Sequence, residues 1–203
     1  ILITWAVITE GGVQVNSEGQ RFWDESQGYS EAARMVLSQT DGVAWTIFDQ
    51  RIAGIARQFQ DFKDAEAAGA IRRAETLAEL ANIYDLPVDP FCATMDGIPW
   101  GETDGFGRRF GATCLAPPYF AVKVTGALFH TQGGLDIDET ARVRLTNGDV
   151  MPNLFAAGGA AVGVSGRGDS GYLSGNGLLS AVVLGALSGA EAAMMTRKDD
   201  QDA

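Results

Sequence analysis

The chain reads as a mixed α and β fold, with strand-like and helical segments interleaved along its length. Three observations predict this. VAWTIFD (43–49) reads as a buried strand. TLAELANIYDLP (76–87) opens on a capping box, Thr76 to Glu79, and places Leu77, Leu80, Ala81 and Tyr84 on one helical face before Pro87 stops it. Asn147-Gly148 lies between ARVRLT and DVMPNLF, as the turn of a hairpin does. The 203 residues suffice for one large domain or two modest ones, each with its own core.

The remaining elements follow in order. ILITWAVI (1–8) is an apolar run that reads as a strand, and GGVQVN followed by SEGQRF reads as a short strand, a turn with Gly19 at positive φ, and a second extended piece. SEAARMVLSQ predicts a helix with Ser30 as its N-cap. After VAWTIFD come helical stretches, among them the one at 76–87. DPFCATM starts another helix, with Asp89 as cap and Pro90 at the first helical position. Residues 101–118 are loop-like, rich in glycine and ending in Pro117-Pro118. YFAVKVTGALFH and LDID read as strands ahead of the hairpin. A helix of about 18 residues from Leu178 closes the chain before the charged tail RKDDQDA. Its apolar character all round, with Gly185 and Gly189, predicts close packing on a sheet in preference to a membrane span, since Glu191 and the serines Ser180 and Ser188 interrupt it.

Composition removes several classes of function. A net charge of −11 disfavours a nucleic-acid partner and an anionic membrane surface, because no basic stripe is present to displace phosphate counterions. Two cysteines, Cys92 and Cys114, and a single histidine, His130, have no metal-ligand spacing, so no metal is expected. The cysteines read as reduced thiols of a cytoplasmic protein.

GRGDSG (166–171) matches the glycines of the dinucleotide fingerprint but not its context. The acidic residue at the right distance, Glu191, falls inside the last helix and not at the end of a second strand. The segment SGYLSGNGLLSA (170–181) is more informative. Gly175, Asn176 and Gly177 precede a helix start, where backbone N–H groups and a partial positive charge await an anion or a polarised carbonyl.

Five segments in order, VNSEGQRFWDE (15–25), TLAELA with DPFCATM (76–95), APPYFAVKVTGALFHTQGGLDID (116–138), MPNLFAAGG (151–159) and SGYLSGNGLLSA (170–181), resemble the FAD-dependent fumarate reductase and succinate dehydrogenase flavoprotein family. The likeness is closer to its soluble tricarballylate dehydrogenase-like and 3-ketosteroid dehydrogenase-like branch. The resemblance implies a C-terminal part of a Rossmann-like FAD-binding domain plus an inserted α+β cap. Residues 1–16 would be a strand of the FAD-binding domain, 17–117 the cap, and 118–203 the C-terminal share of the FAD-binding domain. The family's own dinucleotide fingerprint has no counterpart here, so the expected partner is a missing N-terminal part of the same protein.

The resemblance also implies roles. Gly175, Asn176, Gly177 and Leu178 match the helix start that faces the flavin pyrimidine edge, and Gly158 matches a cofactor-binding glycine. Gly159 stands where relatives often have a glutamate that contacts FAD. His130 matches a histidine that binds substrate carboxylate, and Thr131 follows it. Tyr29 falls at the position of a proton-delivering arginine, and Tyr172 near that of a carboxylate-clamping arginine, with Arg167 close by in sequence. Without those arginine forks the implied substrate is a ketone, an ester or a carboxylic acid with one charge. The implied reaction adds or removes hydrogen across a C–C bond next to a carbonyl or carboxyl, by hydride transfer with flavin. The alternative is a non-catalytic flavin-binding or interaction module that has kept the scaffold.

Overall fold

The computed structural model describes residues 2–128, 132–168 and 171–199. These form two compact units, residues 1–127 and 128–203.

The first unit is built on a four-stranded sheet of order β1-β2-β4-β3, with β1 at Val13–Val15, β2 at Val43–Asp49, β3 at Ile71–Ala74 and β4 at Tyr119–Thr125. All three pairings are antiparallel, and β2 and β4 pair along their full length, from Val43 opposite Thr125 to Asp49 opposite Tyr119. β2 is buried from Ala44 to Asp49 because both faces of the sheet are covered. Trp45 and Ile47 join the core of Val13, Val15, Leu80, Phe91 and Met95, while Phe48 packs with Ile52, Phe62 and Phe120 on the other side. Phe48 stacks on Phe120 at 5.7 Å and meets Phe62 edge-on at 5.8 Å, and each such ring removed from water contributes roughly 1.5–3 kcal/mol.

Helices α1 (Ala6–Thr9), α2 (Tyr29–Leu37), α3 (Gln50–Ala56), α4 (Gln60–Ala67), α5 (Leu77–Ile83) and α6 (Val88–Asp96) surround this sheet. The capping box of α5 is present in both directions, Glu79 N–H to Thr76 and Thr76 N–H to Glu79. Tyr84, just past α5, donates its hydroxyl to Ala121 O at 2.7 Å, and burial pushes that hydroxyl up to about 12 against the opposing charge of Arg72.

Several expectations are corrected here. ILITWAVI is not a strand: residues 6–9 are helical, with Val7 and Ile8 buried. An apolar run of that length suits a buried helix as well as a strand, and Gly12 decides between them. Its N–H bonds Val7 O at 2.9 Å, and a Cβ there would lie 2.6 Å from the same oxygen. α2 is capped at Gly28, with φ +140, and starts one residue before Ser30. α6 starts at Val88 behind Pro87, so Asp89 and Pro90 lie within its first turn. The boundary between the two compact units lies at 127/128, and β4 is an interior strand of the first unit's sheet. β1 pairs with β2 in that same sheet.

The second unit holds the hairpin β5 (Arg142–Arg144) and β6 (Val150–Phe155), with Gly148 at φ +91 in its turn. LDID contributes single bridges, Leu135 to Ala161 and Ile137 to Val143, in place of a full strand. Gly134 is required there, since a Cβ would meet the carbonyl of Ala161 at 2.3 Å. The chain ends in α7 (Asn176–Asp199), tied to the hairpin by the ion pair of Glu191 with Arg142. Val143, Ala156 and Ala161 form a small core with Ile137 and Leu184.

α7 differs from expectation in its surroundings. Leu178 is 79% and Val182 71% exposed, so among the described residues no sheet covers this face. The hairpin offers too little surface for a helix of this length, and only positions such as Ser180 and Leu184 turn inward. By length and composition alone, Asn176–Thr196 could cross a membrane.

Candidate functional site

Two groups of residues carry chemistry, one in each unit. In the first unit, RFWDE folds into a buried network of charges. Glu25, wholly buried, accepts from Gln14 N–H at 2.9 Å, from Arg21 Nε at 2.9 Å and from Arg21 Nη2 at 2.5 Å, while Arg108 Nη1 lies 3.0 Å away. Arg21 also donates to Asp104 at 2.5 Å. Phe110 lies beneath both guanidiniums, 4.9 Å from Arg21 and 4.5 Å from Arg108. Two positive and two negative groups thus compensate one another away from water, which a buried charge requires.

Beyond Glu25 the chain makes a single 3₁₀ turn, Glu25–Gln27, and passes through Gly28 into Tyr29, the first residue of α2. Tyr29 is 44% exposed, and its ring meets Trp5 edge-on, with centroids 6.2 Å apart and planes at 78°. A phenol at this place is accessible to a ligand.

The Asp104 carboxyl responds to acid in a defined direction. Burial alone would raise it, but the hydrogen bond and charge of Arg21, with the N–H groups of Arg108 and Phe106, hold it below the usual carboxylate range. A carboxylate depressed in the folded state stabilises above its unfolded value, about 4, and that contribution is lost as pH falls through the folded value. The urea midpoint of the first unit is therefore expected to fall as the pH drops below about 4, and Asp104→Asn to flatten that fall. An unaltered acid profile in Asp104→Asn would remove Asp104 from the acid response.

In the second unit, Gly158–Ala160 form a 3₁₀ turn against α7, and Gly158 has φ +55. A Cβ on Gly158 would come within 3.3 Å of Ala181, whereas one on Gly159 would meet nothing within 4 Å. Gly175, at φ +83, leads into Asn176, Gly177 and Leu178, the first turn of α7. Asn176 is 1% exposed and gives its amide N–H to Leu173 O at 3.1 Å, yet its Oδ1 has no hydrogen-bond partner among the described residues. An unsatisfied buried acceptor at the start of a helix suits a ligand edge that alternates acceptors and a donor, as the O2, N3–H, O4 edge of a flavin does. On this observation FAD fits.

Gly166 N–H bonds Gly171 O at 2.7 Å, and a side chain on Gly168 would find open space, while Asp169 and Ser170 lie outside the described residues. Arg167 is exposed and Tyr172 half-buried. His130 and Thr131 lie outside the described residues. The structure thus brings Gly158, Gly159, Gly175, Asn176, Gly177 and Leu178 into one unit and places Tyr29 in the other.

Sequence reading missed Trp5, Glu25 and Arg108. A signal existed for the last two: an arginine and a glutamate four apart in RFWDE, and adjacent arginines in DGFGRR, are charges set among aromatics.

Residues 1–178 match the model of the family described as FAD binding domain. The chain is 31% identical over 198 residues to a probable fumarate reductase of Shewanella frigidimarina, covering 95% of this chain and 33% of that protein. It is 27% identical over 203 residues to a 3-oxosteroid 1-dehydrogenase of Mycobacterium tuberculosis, covering 80% of this chain and 36% of the relative. Among solved structures it is similar to the open conformation of a flavocytochrome c3 fumarate reductase, with a TM-score of 0.73 and 30% identity, over 96% of this chain and 34% of that one. The chain spans about a third of the length of the curated relatives it matches. With most of its residues inside the family match, the chain belongs to the FAD-binding domain family, whose cofactor is FAD.

Proposed function

We propose that this chain is the cap and the C-terminal part of the flavin site of an oxidoreductase that adds or removes hydrogen across a C–C bond next to a carbonyl or carboxyl. The observation that carries this reading is Tyr29: a half-exposed phenol at the start of α2, braced edge-on by Trp5. The rest of the flavin site would come from the part of the relatives' length that this chain does not span.

FAD, when bound, supplies the two-electron partner for the hydride. Asn176 Oδ1 and the first-turn N–H groups of Gly177 and Leu178 would hold the pyrimidine edge, the helix start favouring negative charge there. Gly158, Gly159 and Gly175 keep the approach free of side chains. Tyr29 takes the proton from, or gives it to, the carbon next to the one that exchanges hydride. His130, Thr131, Arg167 and Tyr172 are proposed to contact the substrate, with Tyr172 as a second proton-handling candidate. Tyr29 at, and Tyr172 near, the positions where the family resemblance implies arginine would lower the demand for a dicarboxylate, so ketones, esters and singly charged acids fit better.

The test uses flavin-loaded protein, reduced anaerobically and mixed in turn with cyclohex-2-enone, methyl crotonate, crotonate and fumarate, with flavin absorbance as the readout. Reoxidation is expected with at least one of the first three, and slower reoxidation with fumarate. Reoxidation by none of the four would favour a flavin-binding module without acid or base.

A further inference from the structure

We infer that Arg108 is a positioning residue that sets the placement of Trp5 against Tyr29; this rests on the reading of Tyr29 as the proton-handling group. The two rings stand on separate short elements, neither stable alone. Trp5 caps α1, a helix of four residues, and Tyr29 follows a single 3₁₀ turn. A helix this short is held from outside, because nucleation costs more than one turn returns.

The Arg108 guanidinium supplies the hold on both. Its Nη2 donates to Ile8 O, the carbonyl in the last turn of α1, at 3.2 Å, and its Nη1 lies 3.0 Å from Glu25 Oε2, at the head of the turn that delivers Tyr29. One planar fork thus spans the two elements that carry the two rings. The fork is itself fixed. Its face lies 4.5 Å from the Phe110 ring, and the backbone of Arg108 closes a tight turn through Asp104, accepting from Asp104 N–H and donating to Asp104 Oδ1, each at 2.9 Å. Glu25 is anchored independently by Gln14 N–H of β1 and by Arg21. The Nη1 contact with Glu25 is an ion pair without hydrogen-bond geometry, and a lysine could keep that charge or reach Ile8 O but not both, since it presents a point charge and not a planar fork.

The experiment has two arms. In the 203-residue chain, ring-to-ring nuclear Overhauser contacts between Trp5 and Tyr29 are expected in the native protein and lost in both Arg108→Gln and Arg108→Lys. Retention of the contact in either variant overturns the inference, whatever Tyr29 does chemically. In the flavin-loaded protein turning over cyclohex-2-enone, Arg108→Gln is expected to lower kcat by about tenfold to a hundredfold with little change in KM, the scale of a misplaced catalytic group. Tyr29→Phe lowers kcat as well, and the double variant should fall no more than about twofold below Tyr29→Phe alone. Multiplicative losses would show that Arg108 acts by another route and overturn the inference. Trp5→Leu removes the bracing ring and leaves every charge in place, so it should reproduce the kcat loss even if Arg108→Gln folds poorly; an unchanged kcat there also overturns it. Tyr29→Phe with native kcat would overturn the reading of Tyr29 itself and leave Arg108 nothing to position.

Discussion

Glu25→Ala is expected to destabilise the first unit by about 3–5 kcal/mol, the scale for removing one partner from a buried set of charges. The carboxylate is wholly buried and serves three neighbours at once, Gln14 N–H, Arg21 and Arg108. Its loss leaves Arg21 with Asp104 but Arg108 with no carboxylate, in a place where water reaches only 5% of its side chain. Glu25→Gln keeps the volume and one acceptor and should recover part of the loss. Urea denaturation followed by tryptophan fluorescence measures both, and a loss below about 1 kcal/mol for Glu25→Ala would mean that the network behaves as a hydrated surface pair.

Tyr29→Phe is expected to lower kcat for enone reduction by about a hundredfold or more, the lower bound usual for a positioned proton donor. Phenylalanine keeps the ring against Trp5, so the urea midpoint should move little while turnover collapses. Rapid-mixing measurement of flavin reoxidation separates the chemical step from release. Native turnover in Tyr29→Phe would pass the proton role to another group, Tyr172 being the next candidate.

Much of this arrangement was legible in the chain itself. VAWTIFD, the Thr76 to Glu79 capping box and the Asn147-Gly148 hairpin were readable because each depends on neighbours in sequence: apolar continuity, an i to i+3 exchange, and a positive φ. β3 escaped notice because IRRA has two exposed arginines and is a strand only by pairing with β4, almost 50 residues further on. ILITWAVI misled for the related reason that Gly12 acts on it through a backbone approach no periodicity reveals. At the site, the SGNGLL helix start was visible as a glycine pattern, and the structure adds the unsatisfied Asn176 oxygen. RFWDE entered the sequence reading only within VNSEGQRFWDE, one of the five segments that carry the family resemblance. Its own charges matter through Asp104 and Arg108, which lie about 80 residues away in a loop whose glycines drew attention to flexibility instead.

The placement of β4 in the sheet also dictates a timetable. β2 finds its full-length partner only when residues 119–125 have been synthesised, and β3 has no partner at all before then. Until that point a growing chain carries VAWTIFD with one edge open and IRRA with nothing to pair to, so cooperative closure of the first unit waits for its last strand. Such long-range closure makes for slow folding, with the apolar β2 edge as the surface most open to wrong pairing in the interval.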